Sequence, residues 1–116
     1  QALKCEPITV YGDGNQTRSY CFVDDLVTGL MKLASVDEAK GETINLGNAD
    51  EYTINETAQL VKGLVSSKSE VVFKDLPGDD PTRRKPDISK AKRILDWKPK
   101  VSFKEGLKKT VVDFDI

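Results

Sequence analysis

The sequence predicts an α/β fold, a small sheet with covering helices, and three observations carry that reading. Short β-branched runs closed by Gly or Asn turns alternate with longer segments whose apolar residues recur at helical spacing. Two Ser/Thr-x-x-Glu capping boxes, Thr53 with Glu56 and Ser102 with Glu105, stand directly in front of such segments and mark helix starts. At 116 residues and 38% hydrophobic content, the chain suits one domain with a modest core.

The elements follow in order. Pro7-Ile8-Thr9-Val10-Tyr11 is a β-branched and aromatic run, stopped by Gly12-Asp13-Gly14-Asn15, which supplies the positive-φ positions of a tight reversal. Residues 18–23 read as a second extended segment. Asp24 or Asp25 is then placed to cap a helix with the apolar stripe Leu26, Val27, Leu30, Met31 and Leu33. Gly41 resets the chain before a strand over residues 42–46, which Gly47-Asn48 closes with a turn. The Thr53 capping box opens a helix carrying Ile54, Ala58, Leu60, Val61, Leu64 and Val65. Residues 70–73 alternate as a strand, and residues 76–86, with three prolines and a glycine, read as a loop. Asp87 can cap a short helix bearing Ile88, Ala91, Ile94 and Leu95. The Ser102 box opens a last helix over residues 103–114, with Phe103, Leu107, Val111 and Phe114 inside. Gln1-Ala2-Leu3 reads as the tail of a helix already under way.

Eighteen basic and nineteen acidic residues leave a net charge of −1, so no global field draws in nucleic acid or an anionic membrane. An anion site on this chain has to be local. No apolar run approaches the about 20 residues that span a bilayer, and residues 1–10 lack the apolar core of a signal peptide. With Cys5 and Cys21 the only cysteines and no histidine, neither a four-ligand zinc site nor a Ser-His-Asp or Cys-His nucleophile can be assembled. Both cysteines are read as reduced, buried thiols of an intracellular protein.

Two arginine-bearing segments stand out, PITVYGDGNQTRSYCFVDD at residues 7–25 and DDPTRRKPDISKAKRILDW at residues 79–97. They read as two walls of an anion-binding cleft. From the residues alone, Ile8 and Val10 pack as core strand. Arg18 beside Asp24 and Asp25, or Arg84 beside Asp79, Asp80 and Asp87, are equally well surface ion pairs. No Gly-rich strand-to-helix turn and no Tyr-x-x-x-Lys pair is present, since Asn15, Asp24 and Glu56 stand four residues after the three tyrosines.

PITVYGDGNQTRSYCFVDDLVTGL, TINLGNADEYTINETAQLV and DDPTRRKPDISKAKRILDWKPKVSFKEGLKKT, in this order and spacing, resemble the C-terminal third of nucleotide-sugar enzymes of the extended short-chain dehydrogenase/reductase family. The blocks look most like the UDP-glucuronate decarboxylases, and dTDP-glucose 4,6-dehydratases and UDP-glucose 4-epimerases share the outline. The resemblance implies that residues 1–116 are a single substrate-binding lobe of an NAD-dependent Rossmann-type enzyme, with the catalytic tyrosine and lysine and the main NAD site before Gln1. On that reading the chain alone is inactive. The resemblance places Ile8, Thr9, Val10 and Tyr11 beside the nucleotide base, Arg18 and Arg84 on the substrate phosphates from opposite walls, and Asn48 at the base pocket. The implied partner is a UDP-sugar, with no nucleic acid and no membrane contact from this segment, and the parent enzyme is a homodimer. The implied compartment is the cytoplasm, or the Golgi lumen through an anchor upstream of Gln1. The rival from another class is a stand-alone binding or assembly module.

Overall fold

The structure, a computed structural model, describes residues 1–114. The α/β class holds: the described residues form five short strands in two small sheets and four α-helices. The chain divides into two compact units. Gln1–Arg18, Tyr52–Arg84 and the chain from Leu107 make the first, and Ser19–Glu51 with Lys85–Gly106 make the second.

In the first unit, β1 (Ile8–Tyr11) pairs in parallel with β4 (Val71–Lys74), from Ile8 opposite Val71 to Tyr11 opposite Lys74. A second sheet has β2 (Thr17–Arg18) at its centre, antiparallel to β3 (Tyr52–Thr53) and parallel to β5 (Arg83–Arg84). The turn joining β1 to β2 needs its glycines, because Gly12 and Gly14 have φ of 70° and 75°. A Cβ on Gly14 would lie 2.1 Å from Asn55 Oδ1. Asn55 holds this turn from two sides, its Nδ2 donating to Asp13 O at 2.9 Å and its backbone N–H to Gly14 O at 3.0 Å.

Helix α2 (Ile54–Leu64) starts where the capping box places it. Glu56 N–H donates to Thr53 Oγ1 at 3.0 Å, and Thr53 N–H donates to Glu56 Oε2 at 2.7 Å. It ends on left-handed Ser66, with Ser67 N–H bonded to Lys62 O and Ser66 N–H to Gly63 O, the paired bonds of a Schellman cap. Residues 1–6 show the same pattern. Glu6 N–H bonds Gln1 O, Cys5 N–H bonds Ala2 O, and Cys5 is left-handed. Val10 and Ala58 are the buried apolar residues of β1 and α2.

In the second unit, Ala39, Ile88, Ala91, Leu95 and Trp97 form the core, flanked by Cys21, Leu33, Val36, Ile44, Leu46 and Ile94. Helix α1 (Val23–Ser35) approaches this core through Leu33 and through buried Asp25 and Gly29. Gly29 lets it close on Trp97 and Leu46, which a Cβ there would meet at 3.0 and 3.1 Å. Asp25 is buried, and its carbonyl oxygen accepts Trp97 Nε1 at 3.0 Å. Lys32 Nζ donates to the carbonyls of Leu95 and Asp96, closing the C-terminal end of α3 (Ser89–Leu95), where Asp96 turns left-handed. Tyr20 stacks on Phe103, the first residue of α4 (Phe103–Phe114), with ring centroids 4.5 Å apart.

Several expectations are corrected. The expected face of α1 holds for Leu33, which flanks the core, and for half-buried Leu26, but Val27, Leu30 and Met31, with Val23, point outward, because Asp25 and Gly29 make the close approach. Asp25 is no helix cap; its Oδ2 accepts the N–H groups of Lys100 and Val101 at 2.9 and 2.8 Å. Asp87 lies one residue before the N-cap Ile88 and accepts Ser89 N–H at 2.9 Å. Residues 42–46 form no strand, since no ladder partner lies beside them among the described residues, while Ile44 and Leu46 still pack on the core. Residues 76–86 include β5 inside the expected loop. Phe114 is exposed, as is Cys5, and both cysteines are free.

Candidate anion-binding site

Arg18 and Arg84 meet as neighbours and not as facing walls. They are register partners across the parallel pair of β2 and β5, as Thr17 and Arg83 are one position earlier. Adjacent strands lie about 4.8 Å apart and register partners project to the same face, so the two arginines start side by side. Their surroundings differ. Arg18 is half-buried, its Nη2 donating to Asp80 Oδ1 at 2.5 Å and its Nη1 to the carbonyls of Thr17 and Pro81 at 2.7 and 2.8 Å. Arg84 is exposed and makes no ion pair among the described residues. Two planar, permanently charged forks on adjacent strands match the paired oxygens of a diphosphate.

The proposed base-binding run is β1. Val10 is almost wholly buried at 1% exposure, so it packs as a core residue. Ile8 and Thr9 are half-buried, and Tyr11 presents its ring to solvent. Thr9 makes a reciprocal pair with the Gln1 carboxamide, its N–H donating to Oε1 at 3.1 Å and its Oγ1 accepting from Nε2 at 3.3 Å. Thr9 therefore shows both a donor and an acceptor to a planar amide. Asn48 lies in the second unit, buried, with its Oδ1 accepting Asp50 N–H at 3.0 Å in a local turn.

Sequence reasoning missed the role of Asp80. Its proximity to Arg84 in sequence made Arg84 the natural partner, yet the carboxylate reaches Arg18, 62 residues away. No local signal marks this pairing, which depends on the register that sets Thr17 and Arg18 beside Arg83 and Arg84. Elsewhere, the Cys21 thiol is pushed up by burial and then by the Asp25 carboxylate, which disfavours a thiolate there.

Among the described residues, no three His, Cys, Asp or Glu side chains converge as metal ligands. Gly12 and Gly14 sit in a strand-to-strand turn. These residues therefore do not fit the strand-to-helix turn that seats a dinucleotide pyrophosphate.

Residues 1–110 match the family model described as GDP-mannose 4,6 dehydratase. The chain is 50% identical to a UDP-glucuronic acid decarboxylase 2 of Arabidopsis thaliana, over 98% of this chain and 25% of that protein. It superposes on an epimerase of Methanothermobacter thermautotrophicus with TM-score 0.95 at 40% identity, covering 98% of this chain and 34% of that one. It also superposes on a UDP-glucuronic acid 4-epimerase of Bacillus cereus, solved with UDP-glucuronic acid and NAD, with TM-score 0.83 at 31% identity, covering 91% of this chain and 34% of that one. The chain thus spans a quarter to a third of the length of these relatives. With the α/β elements, the arginine pair and a match along nearly its whole length, the chain belongs to the GDP-mannose 4,6-dehydratase family.

Proposed function

We propose that this chain is the nucleotide-sugar-binding portion of a UDP-glucuronate decarboxylase, an enzyme that converts UDP-glucuronate to UDP-xylose. The observation that carries the reading is the 50% identity, over 98% of the chain, to a UDP-glucuronic acid decarboxylase. The side-by-side arginines support it, because a nucleotide sugar is held chiefly by its diphosphate. Arg84 offers an open fork to one phosphate, and Arg18 faces the other. The exposed ring of Tyr11 and the polar pair on Thr9 give a flat pyrimidine an edge to lie against.

NAD, when bound, supplies the hydride acceptor and donor at C4 of the sugar. In such a reaction the bond between C5 and the carboxylate would break with release of carbon dioxide, and C5 would take up a proton in its place. The residues of this chain bind and orient. By fixing the diphosphate they set where the sugar lies for a reaction carried out by other groups, which is the use of remote binding energy for positioning. Loss of carbon dioxide from UDP-glucuronate, followed by mass spectrometry in the presence of NAD, is the expected result for an enzyme that carries these residues together with the catalytic part, and residues 1–116 alone are expected to show none.

A second reading, a UDP-sugar 4-epimerase, is favoured by the solved structures that the chain superposes on. In the same experiment it gives a product of unchanged mass that separates from the substrate by chromatography. That outcome, or loss of water from dTDP-glucose, rejects the decarboxylase.

A further inference from the structure

Arg18 comes to the proposed diphosphate site with its charge already matched. Three of the five guanidinium N–H donors are held, one by Asp80 Oδ1 at 2.5 Å and two by the carbonyls of Thr17 and Pro81 at 2.7 and 2.8 Å. Asp80 and Pro81 belong to the segment between β4 and β5. Residues 75–79 of that segment are all exposed and Asp80 N–H bonds within the segment itself, to Pro77 O at 3.2 Å, while Thr82 O at its end accepts the Thr17 N–H at 2.9 Å. Arg18 is thus the side chain that fastens Asp80 and Pro81 to β2. The ion pair is only partly shielded, with side-chain exposures of 20% for Arg18 and 31% for Asp80, so it can be exchanged for another anion at modest cost. Arg84, on the adjacent strand, has no carboxylate partner of this kind among the described residues.

We propose that Asp80 is a built-in competitor for the substrate diphosphate: its carboxylate holds the place on Arg18 that a phosphate oxygen takes, and it sets the affinity of the site. This rests on the reading of Arg18 and Arg84 as diphosphate-binding residues. The ligand first meets the open fork of Arg84. It then displaces Asp80 from Arg18, and the segment between β4 and β5 loses that tether. Because the exchange trades one carboxylate for one phosphate oxygen, Arg18 is never left unpaired while partly buried, and the cost of binding is the breaking of the internal pair. A carboxylate that merely oriented Arg18 would have the opposite effect on affinity when neutralised, so the sign of the change separates the two roles.

The test is isothermal titration of the purified protein with UDP, comparing wild type with Asp80→Asn, Asp80→Ser and Arg18→Ala. Asp80→Asn keeps the shape and one acceptor but removes the charge, and UDP binding tightens by about two- to fivefold, the range set by loss of a partly exposed competing ion pair. Asp80→Ser, with melting curves for all variants, guards against a fold defect in any one of them, and it tightens binding in the same direction. Unchanged or weaker UDP binding in both Asp80 variants, while Arg18→Ala has lost it, overturns the competitor role and leaves the arginine site standing. If wild type does not bind UDP, or Arg18→Ala binds it as wild type does, the arginine site itself fails and the competitor with it.

Discussion

Arg84 lies in register beside Arg18, yet one guanidinium is tied to Asp80 and two carbonyls while the other is open to solvent. Substitution separates what each does. Arg84→Ala removes a charge-assisted contact to the ligand and weakens UDP binding by about 10- to 100-fold, equivalent to about 1.5–3 kcal/mol, with the melting temperature unchanged. Arg18→Ala weakens binding similarly and also lowers the melting temperature, because Asp80 and the carbonyls of Thr17 and Pro81 lose their shared donor. Calorimetry and thermal melts on the same preparations check both parts. Equal loss of stability in the two variants contradicts the asymmetry.

Two glycines with nearly the same backbone angle differ in their surroundings. Gly14 has φ of 75° and Gly41 has φ of 77°, but a Cβ on Gly14 meets Asn55 Oδ1 at 2.1 Å while a Cβ on Gly41 meets nothing within 4 Å. Gly41→Ala carries only the left-handed penalty, about 1 kcal/mol. Gly14→Ala adds displacement of the Asn55 side chain and loss of its bond to Asp13 O, for a total of about 2–4 kcal/mol. Urea denaturation of the two variants gives the difference directly, and equal costs would show that the Asn55 staple carries no stability.

The parts of the fold legible in the sequence are those decided by a few consecutive residues. The Thr53 and Glu56 box depends on four neighbouring positions, and helix α2 begins at it. The Gly12 to Asn15 turn is equally local, with Asn15 N–H bonded to Asp13 Oδ1. On α1 hydrophobicity marks the bulky residues, whereas the packed side is chosen by where the backbone can come close, at Gly29 and Asp25. Residue type and resemblance point to Arg18 and Arg84. Their adjacency, and the pairing of Arg18 with Asp80, depend on the register of two-residue strands far apart in the chain, which no local pattern encodes.

Asp24 and Asp25 are indistinguishable as candidate caps in sequence, and the structure gives them unequal weight. Asp25 is buried and its carboxylate accepts two backbone N–H groups, from Lys100 and Val101, while Asp24 is exposed. Asp25→Ala strands both donors and costs about 2–4 kcal/mol. Asp25→Asn keeps one acceptor oxygen and costs about half as much. Asp24→Ala loses only a favourable charge in the first turn of α1, about 0.3–1 kcal/mol. Urea midpoints for the three variants should fall in that order, and an Asp25→Ala midpoint near that of Asp24→Ala would remove Asp25 from the core.

The capping box of α2 also makes stability depend on pH. The Thr53 backbone N–H, and then the Thr53 hydroxyl, hold the Glu56 carboxylate in its charged form and lower its titration below the ordinary glutamate value. Because the native state binds the proton less readily than the unfolded chain, this contribution is present above the unfolded value. It is lost as the pH falls through the lowered native one. Glu56→Gln can still accept the Thr53 N–H but has no charge to lose. Melting curves across the acid range should therefore show wild type above Glu56→Gln at neutral pH and the two converging as the carboxylate is protonated. The helix N-terminus adds to the gap at neutral pH by favouring a negative charge in its first turn. A gap that stays constant down to the most acid pH would mean that Glu56 acts through shape alone.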